Sequence, residues 1–214
     1  MGIISSLFGG NKQEKALRDA LQHIQRLLDD EDFQNSLVHP AIRDMLLSAP
    51  AVDKDPNGVG PFGFTETNPI PVNGSIGELA YLSRLETLSG QRIMFHRIGA
   101  IGIVDVFEAV TFDGREWFIL FADFYHPRRS RLAPEGFRFT KDIAQFSGFH
   151  KFCEAFPYDF IEKKASERES GMSMAYIPIS KVSDQIERRV FNRPLAHTAK
   201  LELLRDRLSS LQTQ

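Results

Sequence analysis

Apolar and polar positions are most sharply patterned between Ile103 and Arg131, where IVDVFEAVTFDGREWFILFADFYHPRRSR holds two apolar runs joined by Asp113-Gly114. Such a dipeptide between β-rich runs predicts a hairpin with a two-residue turn, which pairs Phe112 with Arg115 and so on up both strands. One face then carries Val104, Val106, Glu108 and Val110 with Phe121, Ile119 and Trp117; the other carries Ile103, Phe107 and Ala109 with Phe124, Leu120 and Phe118. Both faces are apolar. The hairpin therefore belongs in the middle of a sheet covered on both sides, or curled into a closed shape, and Asp105, Glu108 and Asp123 each need a partner if buried.

Upstream, Ala16, Leu17, Ala20, Leu21, Ile24, Leu27 and Leu28 recur at three- and four-residue steps, an amphipathic helix from Asn11. Negative charge is unfavourable at a helix C-terminus, so the run Asp29 to Asp32 is expected to end the helix as a solvated corner. His39-Pro40 opens a second helix with Ile42, Met45 and Leu46 on one face, and Ala49-Pro50 stops it. Residues 50–74 are rich in Pro, Gly and Asn and read as a long connection. Ile76 to Leu88 carries two signals: Ser75 with Glu78 makes a capping box, whereas Leu79, Tyr81, Ser83 and Leu85 alternate and lead into the strand-like Arg92 to Ile98. The alternation is preferred, giving a hairpin.

After Gly136, Phe137, Phe139, Phe146, Phe149, Phe152, Phe156 and Phe160 read as core filling from short helices. Residues 162–171 read as an exposed turn, and Met174 to Ile179 as an edge strand limited by Pro178. Ser180 to Asn192 and Leu195 to Leu211 are expected as helices broken at Arg193-Pro194. The resulting fold class is α+β: a mostly antiparallel sheet over about 76–140 flanked by N-terminal and C-terminal helices. The expected organisation is an N-terminal helical segment 1–49, a connection 50–74 and an α+β core 75–214, together one compact domain.

Composition narrows the partners more than the fold. With 214 residues and a formal net charge of −2, bulk affinity for nucleic acid or anionic membrane is disfavoured, so any such contact must be local. Cys153 is the one cysteine, which excludes an intrachain disulfide and cysteine-pair zinc spacings and suits a reducing, cytoplasmic setting. No apolar run reaches the length of a membrane span. Met1-Gly2 with Ser6 fits an acylation pattern by chance, and Ile3, Ile4, Leu7 and Phe8 offer at most a weak peripheral membrane contact.

Candidate chemistry gathers where the hairpin ends. Tyr125, His126, Arg128, Arg129 and Arg131 form an anion-friendly cluster, because arginine presents a rigid fork of donors suited to carboxylate or phosphate. The competing reading pairs these arginines with Asp123, Glu108, Asp105 or the acidic run near residue 30. His96 and His126, placed across neighbouring strands beside Asp123, would suit a metal or acid/base site, but no H-E-x-x-H or H-x-H spacing supports a metal and no cofactor is expected. His150 and Cys153 form H-x-x-C on an expected helix, with the thiol read as buried and inert among Phe149, Phe152 and Phe156. Gly58, Gly60 and Gly63 spell G-x-G-x-x-G without a preceding strand or following helix, a chance match. The expectation is a cytoplasmic binding or interaction protein, with no enzyme activity favoured. Its surface would combine the arginines with residues 56–74, and its partner would be a protein or a small anion. The alternative is an enzyme using His126, Tyr125 and Asp123 on an anionic substrate, and the C-terminal helix offers a route to a homodimer.

Overall fold

The computed structural model of the chain describes residues 4–141, 146–158 and 190–212. Its elements are α1 (Ile4–Asp29), α2 (Glu31–Ser36), α3 (Pro40–Ser48), β1 (Ile70–Pro71), α4 (Gly74–Leu82), β2 (Leu85–Thr87), β3 (Ile93–Ile101), β4 (Val104–Thr111), β5 (Trp117–Asp123), β6 (Phe137–Phe139), β7 (Gly148–Phe149) and α5 (Leu195–Gln212). The fold is α+β. A five-stranded sheet has the order β1-β5-β4-β3-β7, with β3, β4 and β5 antiparallel and the two short edge strands parallel to their neighbours, while β2 and β6 form a separate antiparallel pair.

The β4–β5 register is the one the apolar pattern demands, with Val110 opposite Trp117, Glu108 opposite Ile119 and Val106 opposite Phe121. The connection between them differs from the expected two-residue turn. Ladder bonding stops where the Thr111 N–H donates to Glu116 O at 3.0 Å, leaving a four-residue loop, and the Gly114 N–H turns back onto Thr111 O at 2.8 Å. Asp113 Oδ1 accepts from Thr111 Oγ1 at 2.6 Å and from the Arg115 N–H at 3.1 Å, which holds the wider loop. Only glycine takes the positive φ of 75° at Gly114 without strain. Two- and four-residue loops centred on the same dipeptide share a register, so the face assignment survives the change of turn, except at Ile103, which lies exposed in the turn before β4.

Each face has its own cover. Phe95, Phe107, Ala109, Leu120 and Ala122 pack with Tyr81 and Leu82 of α4 and with Ile70 and Val72. Val104, Val106, Ile119 and Phe121 pack against Leu201 and Leu204 of α5 on the opposite face. Fully burying side chains such as Phe95, Phe107 and Leu120 contributes about 1.5–3 kcal/mol each. Behind α4, Ile24 and Leu28 of α1 close on Ala80, so the buried end of the predicted α1 stripe points at α4 rather than at the sheet.

Several expectations need correction. Residues 74–82 are helical, not a hairpin strand; only Leu85–Thr87 is extended, and it pairs with β6. α4 turns Tyr81 and Leu82 into one core and Ala80 toward α1, a two-sided burial that the alternation of Leu79, Tyr81, Ser83 and Leu85 resembled by coincidence. The acidic run is not a solvated corner but opens α2: Asp30 Oδ1 accepts the Phe33 N–H at 2.9 Å as N-cap, and Glu31 and Asp32 fill the first turn, where the helix dipole favours negative charge. α3 begins at Pro40 as expected. The segment from Phe146 to Tyr158 supplies β7 and turns rather than the expected short helices, so His150 and Cys153 share no helix face. Phe137 and Phe156 are buried, but Phe152 is half exposed. The strand expected over Met174–Ile179, Phe160 and most of the helix expected over Ser180–Asn192 lie outside the described residues.

The connection 50–74 is laid along the sheet edge. The Phe121 N–H donates to Gly63 O at 2.9 Å, Val72 N–H to Asp123 O at 2.8 Å and Gly74 N–H to Phe124 O at 2.9 Å. Gly58, Gly60 and Gly63 lie in a loop followed by turns, without the strand–turn–helix frame of a dinucleotide site. No helix among the described residues is long and apolar enough to cross a membrane.

Candidate functional site

The segment leaving β5 is held by the connection and by α2. Arg128 Nη1 donates to Asp53 Oδ1 at 2.6 Å and Nη2 to Ala51 O at 2.9 Å. His126 has both ring nitrogens engaged, Nδ1 against Pro50 O at 3.1 Å and Nε2 at 3.4 Å from Asp123 Oδ2. Burial by itself would lower the His126 pKa, but the Asp123 carboxylate and the Pro50 carbonyl outweigh it and raise the value above the usual 6.5. Tyr125 stacks on Phe124 with ring centroids 4.1 Å apart, and its N–H is held by Asp123 Oδ1 at 3.0 Å. Arg128 and His126 therefore fasten residues 50–53 to the β5 exit, and Tyr125 packs within that exit.

Arg129 and Arg131 face a different space. A cavity of about 310 Å³ is lined by Glu31, Tyr81, Arg84, Arg129, Ser130, Arg131 and Phe139. Arg129 reaches across it to Leu28 O at 2.6 Å and to Glu31 Oε1 at 3.4 Å, and Arg84 pairs with Asp29. Burial, and after it the positive charge of Arg129, lowers the Arg84 pKa, so the two guanidinium groups are near enough to disfavour each other. The wall thus carries three arginines, of which Arg129 meets Glu31 and Arg84 meets Asp29 just outside the lining, with the rings of Tyr81 and Phe139 as an apolar floor. None of the lining residues comes from 56–74, so the expected contribution of that segment is replaced by α2 and by Arg84 at the end of α4.

The other histidine of the expected pair lies elsewhere. β3 borders β4 and β7 rather than β5, and His96 Nε2 sits 3.0 Å from Glu108 Oε2 on the α5 face. Glu108, fully buried, also receives Arg193 Nε at 2.7 Å, Arg193 Nη2 at 3.1 Å and His197 Nε2 at 3.0 Å. Burial alone would raise its carboxyl, but the bonds from His197 and His96 and the charge of Arg193 hold it down at about 2. His96 Nδ1 accepts the Cys153 N–H at 3.0 Å and its ring stacks on Phe156 with centroids 4.2 Å apart, so it is fixed by backbone and packing. This hub ties the start of α5 to β4.

A second carboxylate cluster lies on the α4 face of the sheet. Asp105 Oδ1 receives Arg97 Nε at 2.7 Å, and Asp105 Oδ2 lies near Glu78 of α4 and His150. Burial first, then the Asp105 charge, pushes the Glu78 carboxyl well above the usual range, and burial lowers the His150 imidazole. Sequence reasoning named Asp105 and Glu108 as needing partners but did not find Arg97, Arg193, His197, Glu78, His150 or Arg84. Arg193 and His197 stand 85 and 89 positions from Glu108, and the one legible signal was a carboxylate within an otherwise apolar strand. No protein-family model matches the chain, and neither a curated protein nor a solved structure does.

Proposed function

We propose that this is a binding protein that takes the anionic group of a ligand, phosphate or carboxylate, into the cavity between Arg84, Arg129 and Arg131. The observation that carries the reading is the gathering of three guanidinium groups on one partly enclosed wall beside two aromatic rings. Two half-buried guanidinium groups that disfavour each other gain from an anion placed between them, and their forks give bidentate hydrogen bonds to planar or tetrahedral oxyanions. Tyr81 and Phe139 favour a ligand whose anionic group is attached to an apolar or aromatic portion. Of the residues expected to bind the anion, Arg129 and Arg131 carry the role in this reading, and Arg128, His126 and Tyr125 shape the loop behind them.

Phenyl phosphate and benzoate are suitable probes, titrated by calorimetry and by amide chemical-shift changes at low ionic strength. Saturable binding with a Kd of about 1 mM or tighter is expected for at least one of them, and the pair separates phosphate from carboxylate preference. Arg84→Gln and Arg131→Gln each remove a charge-assisted hydrogen bond and are expected to weaken binding about 10- to 100-fold. Arg43→Gln on α3 does not line the cavity and should leave binding unchanged. Absence of saturable binding to wild type, or equal loss from Arg43→Gln, overturns the reading.

A further inference from the structure

We propose that Glu78, Asp105 and His150 form a binding site for a divalent transition-metal ion, separate from the arginine-lined cavity. Glu78 comes from the middle of α4, Asp105 from the α4-facing side of β4, and His150 follows β7, so the fold alone brings them together. One ligand atom from each lies within 4.8 Å of the other two. Around an ion with metal–ligand bonds of about 2.0–2.2 Å, ligand atoms sit roughly 3–4.4 Å apart, so a small contraction completes the set.

The polar atoms of the cluster point to a cation. Glu78 and Asp105 are 0% and 1% exposed, and with both ionised no donor among the described residues meets Glu78 Oε1, Glu78 Oε2 or Asp105 Oδ2, so that only a proton held between the two carboxyl groups would satisfy any of them. His150 Nδ1 is 2.7 Å from Glu78 Oε2 but lacks hydrogen-bond geometry, and His150 Nε2 is 3.7 Å from Asp105 Oδ2. Leaving buried carboxylate oxygens unsatisfied is costly, and Glu108, equally buried, shows how this fold normally avoids it, with contacts from His96, Arg193 and His197. A ligand that takes lone pairs from all three side chains at once removes the difficulty.

Charge and ligand type define the ion. Arg97 offsets one of the two carboxylates and, by holding Asp105 Oδ1, turns Oδ2 toward the cluster, as outer-shell partners of metal ligands do. Once an ion displaces the proton that burial favours on Glu78, one negative charge is left over, and Asp123 adds to the negative field there. Two carboxylate oxygens with one imidazole suit Zn²⁺, Mn²⁺ or Fe²⁺ better than Mg²⁺ or Ca²⁺, which favour all-oxygen sets. The His150 side chain is 29% exposed, which opens one side of the site for exchange and for a water ligand.

The test uses the full chain, stripped with chelator and titrated with Zn²⁺ by calorimetry and with Mn²⁺ by electron paramagnetic resonance. About one ion per chain is expected, with Mg²⁺ and Ca²⁺ failing to displace it. His150 is partly exposed on a turn, so His150→Ala should keep the fold, checked by near-ultraviolet circular dichroism, and weaken Zn²⁺ binding at least about tenfold. Asp105→Asn, where it folds, should do the same. Substoichiometric binding by wild type, or His150→Ala binding as tightly as wild type, overturns the assignment and leaves the two carboxyl groups sharing a proton.

Discussion

Arg193→Ala is the most informative perturbation of the fold, because Arg193 is, among the described residues, the one permanently charged group bonded to the buried Glu108. The substitution removes the 2.7 Å and 3.1 Å bonds to Glu108, a 3.3 Å bond to Phe156 O and a guanidinium 5.0 Å from the Trp117 ring centroid. Breaking one side of a buried ion pair costs about 3–5 kcal/mol, and the lower end applies since Arg193 is partly exposed and His96 and His197 remain, so about 3 kcal/mol is expected. An independent route gives a similar size. Glu108 titrates at about 2 rather than 4.5, which by linkage amounts to about 3 kcal/mol contributed by all its partners together. A depressed carboxyl stabilises the fold fully above its unfolded value of 4.5, and that stability is lost as pH falls toward 2. Urea unfolding followed through Trp117, the only tryptophan, measures both effects. In a Glu108→Gln background the cost of Arg193→Ala should fall to about 1 kcal/mol, and the acid limb of Arg193→Ala alone should be shallower than that of wild type. A cost below about 1 kcal/mol in both backgrounds, with an unchanged acid limb, would refute the role assigned to the hub.

Two further outcomes follow from close contacts. Gly148→Ala places a Cβ 2.2 Å from a ring carbon of the fully buried Phe95, so overpacking should cost about 1–3 kcal/mol in urea unfolding, and Phe95→Leu should recover part of it. His126, raised above 6.5 by Asp123 and Pro50 against the effect of burial, contributes stability that is fully present below 6.5 and is lost as pH rises through its folded value. His126→Gln should flatten that limb of the stability–pH curve, and an unchanged limb would show that the Asp123 contact does not hold.

The legible parts of the chain were those whose signal is local or periodic. α1 from Asn11 onward, α3 and α5 follow from apolar stripes and proline boundaries, although α1 starts earlier, at Ile4, and the β4–β5 faces follow from two apolar runs about Asp113-Gly114. α4 misled because a short helix buried on two sides carries no single stripe, and the mixture of Leu79, Tyr81 and Leu85 satisfied strand alternation equally well. Of the five residues expected to form an anion site, Arg129 and Arg131 line the cavity, Arg129 while also bonded to Leu28 O and Glu31, whereas Arg128 and His126 are turned to Asp53, Ala51, Pro50 and Asp123. Residue type made all five equal candidates; the path of residues 50–55 separated them.

The sequence by itself determined the α+β class, the central hairpin with two buried faces, and the requirement that Asp105 and Glu108 find partners, because period, turn chemistry and the cost of a buried charge act over short distances. Tertiary structure alone decided which partners those are. Glu108 is met by His96, Arg193 and His197, and Asp105 by Arg97 with Glu78 and His150 beside it, since β3, β4, α4, α5 and the segment after β7 converge only when α4 and α5 cover opposite faces of the sheet. Side chains that meet from 8 to 89 positions apart leave no periodic trace along the chain, and so the chemistry of this protein is written in its packing.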